Sequence, residues 1–206
     1  LTDYGQNKKV RKFLQEFFQE TGNLYDQGIE CFDKEFGKLL DFLKQENIYQ
    51  NSIIGLTSDH GEELFEHSGI SHFSCKLYQE LLQVPLLIKI PGENPENIDK
   101  KVSLIDLPST LCDLAGVASP LSFKGRNLFR NNASPVFHQA ASHSYHKEYN
   151  IACQSDDWKY IADRLRKREE LYNLKEDPKE KNNLSQDRPE IISQMREEIN
   201  NFENGR

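Results

Sequence analysis

Basic excess is the first thing this chain lacks: 26 Lys and Arg stand against 33 Asp and Glu, a formal net charge of −7. No positive stripe is available to neutralise a row of phosphates, which argues against polynucleotide binding. Long apolar runs are missing too. The longest, residues 84–90, is interrupted by Lys89 and falls far short of the roughly 20 residues that cross a bilayer. Leu1 is followed by polar residues rather than a signal h-region, so a soluble chain is expected, with its compartment left open. Cysteine is sparse: Cys31, Cys75, Cys112 and Cys153 form no Cys-x-x-Cys pair, against a zinc ribbon or a dense disulfide framework. They read as free thiols. Cys31 and Cys112 sit at apolar positions of helical patterns, as small buried hydrophobes do, and Cys75 reads as having no chemical role.

What is present is enough chain, 206 residues, for one substantial domain or one with a small appendage. Val10, Phe13, Leu14, Phe17 and Phe18 recur at helical spacing within residues 6–20, predicting an amphipathic helix. After Thr21-Gly22-Asn23 a second helix is predicted. Its stripe of Tyr25, Ile29, Phe32, Phe36, Leu39, Leu40 and Leu43 should cover one face of a sheet. Residues 53–56 form a short β-branched run, as in a strand buried on both faces of a parallel sheet. Residues 84–90 supply another strand. Asp59 and His60 fall just past the C-terminal end of the first run, where open α/β sheets bind ligands. A carboxylate oxygen and an imidazole nitrogen on one turn can serve a single divalent cation, and Gly61 lets the backbone turn behind them. The alternative also stands, in which Asp59 caps a helix and His60 is a surface histidine.

Downstream, residues 91–101 read as a loop, and Pro108 opens a helix ending near Ala115-Gly116. Residues 135–140, 151–154, 158–162 and 170–174 are short strand candidates separated by turn residues, predicting an antiparallel sheet. A terminal helix over 189–202 carries Ile191, Ile192, Met195, Ile199 and Phe202 on one side. His138, His143 and His146 read as solvated or partner-facing rather than as a metal site, and residues 164–168 as a solvated hairpin tip. The expected fold class is α/β: a partial doubly wound, mainly parallel sheet over residues 1–133, then an α+β C-terminal subdomain over 134–206 with an antiparallel sheet and a terminal helix.

The ordered series Thr57-Ser58-Asp59-His60-Gly61-Glu62, Glu66-His67-Ser68-Gly69, Ser71-His72, Leu77-Tyr78-Gln79-Glu80 and Val84-Pro85-Leu86-Leu87-Ile88-Lys89-Ile90-Pro91-Gly92 resembles the sulfatase family of the alkaline phosphatase superfamily. Upstream, Tyr25, Ile29 and Asp33 resemble a helix of that family, with Asp33 structural. Residues 159–161, 170–174 and 177–184 resemble its C-terminal subdomain. The resemblance implies that Asp59 and His60 are metal ligands and that His72 is a catalytic and substrate-binding contact to sulfate oxygens. Lys76 is a second substrate-binding candidate. It further implies a divalent metal, calcium first, with manganese or zinc compatible with a histidine ligand, and a small sulfate ester or sulfated sugar as substrate. The family's Cys-or-Ser-x-Pro-x-Arg nucleophile motif, whose Cys becomes formylglycine, and its early Asp pair have no counterpart in the sequence. The chain is therefore expected to be the C-terminal portion of a sulfuric ester hydrolase, inactive alone, with the formylglycine and a missing N-terminal part of the same protein lying outside it. A phosphoryl-transfer relative (a phosphonate or phosphate ester hydrolase, or a phosphoglycerol transferase) and a non-catalytic metal- or substrate-binding module are the alternatives.

Overall fold

The computed structural model describes residues 8–69, 71–72, 75–130, 135–141 and 149–205. The first helix, α1 (Lys8–Gln45), is a single element of 38 residues where the sequence pattern predicts two. Glycine inside a helix costs only about 1 kcal/mol relative to alanine, whereas proline removes a hydrogen bond, and the predicted break contains no proline. Thr21 Oγ1 donates back to the Phe17 carbonyl at 2.8 Å, so the threonine joins the helix rather than ending it. Side-chain pairs one turn apart add support, with Lys38 and Glu35 in contact at 2.6 Å and the Phe32 and Phe36 rings stacked 5.9 Å apart. Among the described residues the apolar stripe covers no sheet: Ile29 is 51% exposed and Phe32 54%. Cys31, expected to be buried, lies exposed on this helix.

After a 3₁₀ turn (Tyr49–Asn51), strand β1 (Ile54–Thr57) pairs with β2 (Leu86–Lys89), and the pair is antiparallel, with Leu56 opposite Leu87. The predicted orientation was parallel. A parallel pair needs a long crossover, usually a helix, and residues 58–85 contain only the one-turn helix α2 (Gln79–Leu82) among the described residues. Lys89, the charge inside the second apolar run, bends back to the 3₁₀ turn. Its Nζ donates to the carbonyls of Tyr49, Gln50 and Ser52 at 2.6, 2.9 and 2.9 Å, so the ammonium answers three carbonyl oxygens.

Helix α3 (Leu107–Leu114) has Pro108 in its first turn, as the sequence predicts. It holds the strand-less segment that follows it. Asp106 Oδ1 accepts from Arg126 N at 2.8 Å, and Thr110 Oγ1 accepts from Leu128 N at 2.9 Å.

Four antiparallel strands complete the chain in the order β3 (Val136–Ala141), β4 (Tyr149–Ser155), β5 (Trp158–Asp163), β6 (Arg168–Asn173). They are the four strands and the sheet type that the short runs separated by turn residues predict. Helix α4 (Pro189–Asn204) lays Ile192, Met195 and Ile199 on one face, against Ile151, Cys153, Tyr160 and Leu171. Full burial of each such side chain stabilises by about 1.5–3 kcal/mol. The opposite face, with Ala152, Ile161 and Tyr172, is covered by Leu77 and Tyr78 from the segment leading into α2. The C-terminal sheet is thus buried on both sides, and one cover is the loop that follows β1. No helix among the described residues is long and apolar enough to cross a membrane.

Candidate functional site

The chain leaves β1 at Thr57 and runs through Ser58, Asp59 and His60 without entering a helix, so Asp59 caps none. Its carboxylate instead accepts from the backbone N–H of His60 at 3.0 Å. That hydrogen bond, then the neighbouring His60 charge, holds the exposed Asp59 carboxyl below the usual carboxylate range. Ser58 Oγ donates to the His60 carbonyl at 2.7 Å and ties the turn. His60 Nδ1 lies 2.8 Å from the Gly61 carbonyl. A carbonyl only accepts, so Nδ1 is a protonated nitrogen, which leaves Nε2 as the ring atom able to offer a lone pair to a cation. Nε2 is 3.7 Å from Asp59 Oδ2. Two lone-pair donors therefore converge at a separation one cation can bridge, and a carbonyl on the far nitrogen is the usual way a protein orients a ligating histidine.

Among the described residues no group of three or more His, Cys, Asp and Glu side chains is arranged to hold a metal. Asp59 and His60 suit a cation chemically but supply only two donors. Their local glycine has a steric reason: a Cβ on Gly61 would overlap the Glu80 carbonyl, while Gly61 N donates to the Leu81 carbonyl at 2.9 Å and fastens the turn to α2.

The His72 ring centre lies 4.2 Å from that of His60. Its Nδ1 is 3.5 Å from Glu62 Oε2, and its side chain remains 40% exposed. Asp59, His60 and His72 therefore sit together, on the wall of a trough of about 2080 Å³ that His138 of the C-terminal sheet also lines. Lys76 also lines the trough but is 13% exposed and turned inward. Its Nζ contacts Glu63 Oε1 and Oε2 at 2.7 and 2.9 Å and the His67 carbonyl at 2.7 Å, which occupies all three ammonium protons. His138 is held by Gln154, 3.3 Å from its Nε2. His143 and His146 lie outside the described residues.

Sequence reasoning gave no individual role to the groups that hold this loop. Glu63 is fully buried. His67 is clamped between the Glu80 carboxylate at 2.6 Å and the Glu180 carbonyl at 2.9 Å, its ring stacked on Tyr78 at 3.6 Å. Because a carbonyl cannot donate, Nε2–H is the donor toward Glu180. Gln79 N donates to Glu180 Oε2 at 2.6 Å, and Lys159 Nζ lies 2.7 Å from Oε1, with both charged side chains wholly buried. Burial pushes the Lys159 ammonium down and the Glu180 carboxyl up. Tyr78 and Tyr172 both donate to Glu170 Oε2 at 2.7 Å, and burial raises both hydroxyls above the usual range. The site loop is thereby bolted to the C-terminal sheet. The sequence signal for most of them was their place in the motifs that carry the family resemblance, at 66–69, 77–80, 159–161, 170–174 and 177–184, which does not say which side chains pair with one another.

Residues 3–117 match the family model described as Sulfatase, more than half of the chain. The chain belongs to the sulfatase family. A second model, N-sulphoglucosamine sulphohydrolase, C-terminal, matches residues 71–205. Arylsulfatase K of Bos taurus is 27% identical over 188 residues, covering 84% of this chain and 34% of the relative. Delta 4,5-hexuronate-2-O-sulfatase of Bacteroides thetaiotaomicron is 29% identical over 168 residues, covering 75% and 34%. Among solved structures, a 2-O GAG sulfatase superposes with a TM-score of 0.74 at 24% identity, over 82% of this chain and 40% of that one. The chain spans about a third of the length of the curated relatives it matches. As in these sulfatases, the fold is α/β, here carrying the antiparallel α+β subdomain at its C-terminal end.

Proposed function

We propose that the chain forms the C-terminal part of a metal-dependent sulfuric ester hydrolase, in which Asp59 and His60 donate to a divalent cation and His72 contacts the sulfate oxygens. Family membership supports hydrolase chemistry. The observation that carries the residue roles is the convergence of Asp59 Oδ2 and His60 Nε2, 3.7 Å apart, beside the His72 ring. When bound, the cation would neutralise nonbridging oxygens and polarise the S–O bonds. Calcium suits the carboxylate, while the imidazole also admits manganese or zinc. His72 would offset charge on the sulfate as the ester oxygen leaves. Two of the similar proteins are named for 2-O-sulfated uronate or glycosaminoglycan chemistry, which favours a sulfated sugar as substrate here.

No cysteine or serine of this chain begins a Cys-or-Ser-x-Pro-x-Arg pattern, so the nucleophile would come from outside it and the chain alone would be inactive. Calorimetric titration of the chain with calcium and manganese tests the ligand roles. Weak binding that disappears in Asp59→Ala and His60→Ala is expected, because a partial ligand set forfeits most of the affinity. Binding that survives both substitutions would assign the cation to other residues.

A further inference from the structure

Lys76 follows the site histidines in sequence and lines their trough, yet every one of its donors is directed into the protein. Its partner Glu63 is the hub of the loop. Glu63 Oε1 accepts from His67 N at 3.2 Å and Gly69 N at 2.7 Å, and the Glu63 carbonyl accepts from Ser71 N at 2.9 Å. The residue after Ser71 is His72. A Cβ at position 69 would overlap both the Glu63 carboxylate and Lys76 Nζ, so the pair closes around a glycine. The path is strained as well: Phe65, Ser68, Ser71 and Cys75 have φ of 77°, 64°, 65° and 53°, a left-handed region that side chains with a Cβ disfavour. Such a run persists only where its surroundings over-determine it, and the buried ion pair with its backbone donors supplies that constraint.

We propose that Glu63 and Lys76 are a positioning pair that sets His72 against His60, and that Lys76 acts through Glu63 rather than on the substrate. This rests on the functional reading above and deepens it by leaving His72 as the anion contact of the two candidates. Removing either charge frees the segment between Glu63 and Lys76, and His72 drifts from His60. A misplacement of about 1 Å near the chemistry costs about a hundredfold in rate.

The test has one arm that needs no activity. In the chain itself, nuclear Overhauser contacts between the His60 and His72 ring protons report their 4.2 Å approach. They are expected to vanish in Glu63→Gln and Lys76→Met, to persist in Lys76→Arg, and to vanish in Gly69→Ala, which serves if a charge variant does not fold. Contacts unchanged in folded Glu63→Gln and Lys76→Met would overturn the proposal. In the intact enzyme, both single variants should lose kcat by about a hundredfold with KM and metal content nearly constant, and the double variant should be no worse than either single one. A rise in KM in Lys76→Met that Glu63→Gln does not share would place Lys76 on the substrate and overturn the proposal while sparing the functional reading. Full activity of Asp59→Ala and His60→Ala would refute that reading and leave the ring-contact result to decide the positioning role.

Discussion

Replacing Lys159 by methionine removes one partner of an ion pair whose two side chains are both fully buried and 2.7 Å apart. The remaining Glu180 carboxylate keeps a hydrogen bond from Gln79 N at 2.6 Å but loses the ion pair that Lys159 makes with it. Breaking a buried pair from one side costs about 3–5 kcal/mol, because a charge is left without compensation, whereas replacing both partners is often close to neutral. Lys159→Met is therefore expected to destabilise the C-terminal subdomain by about 3–5 kcal/mol. The double variant Lys159→Met/Glu180→Gln should recover most of it, since glutamine still offers Gln79 N an acceptor. Trp158, the single tryptophan of the chain, packs partly buried beside the α4 core and reports this unfolding by fluorescence. With a urea dependence of about 1–3 kcal/mol/M, the midpoint of the single variant should fall by more than about 1 M. A loss under about 1 kcal/mol in the single variant, or a double variant worse than the single, would refute the reasoning.

Burial, then the nearby Lys159 charge, lowers the His138 pKa from 6.5 to about 4. The folded state stays neutral where the unfolded chain binds a proton, so stability is full above pH 6.5 and falls as pH drops toward about 4. At about 1.36 kcal/mol per unit the loss approaches 3 kcal/mol at most, and urea midpoints measured from pH 7 to 4 should show a shallower decline in His138→Gln than in the native chain. Gly125→Ala would drive a Cβ into the Ile105 carbonyl and the Asp106 backbone. It should cost about 1–3 kcal/mol, the range for overpacking, and increase amide exchange at Arg126 and Leu128, whose N–H groups bond to Asp106 and Thr110.

The elements legible in the sequence are those whose pattern is local. Strands β4 and β5 send side chains in turn to the α4 face and the loop face, with Tyr160 on one and Ile161 on the other, and they were legible because turn residues mark off each short run. Asp59 and His60 were singled out because residue type and place coincide at a strand end, and His72 through the family resemblance; the structure brings the three side by side. Strand direction was not legible. Runs 53–56 and 84–90 look alike in either orientation, and the length of helix in the connection decides between them. The continuity of α1 was missed because glycine in a helix is a modest penalty that neighbouring turns absorb. Cys31 was placed inside because its stripe looks like a packed one, yet that face of α1 is exposed. Glu63 was invisible for another reason. Its partner Lys76 is thirteen positions away, and only the folded loop brings the carboxylate, two backbone donors and the ammonium together.

Turnover of a sulfated sugar and bound metal, measured together on His72→Ala of the intact enzyme, test the central claim most directly. His72 stands beside the Asp59–His60 pair without being counted among the cation's ligands. Turnover should fall by about a hundredfold, the scale for losing one donor to a developing oxyanion, while metal content stays at the native level. A variant that keeps full turnover, or one that loses its metal together with its rate, would contradict the account.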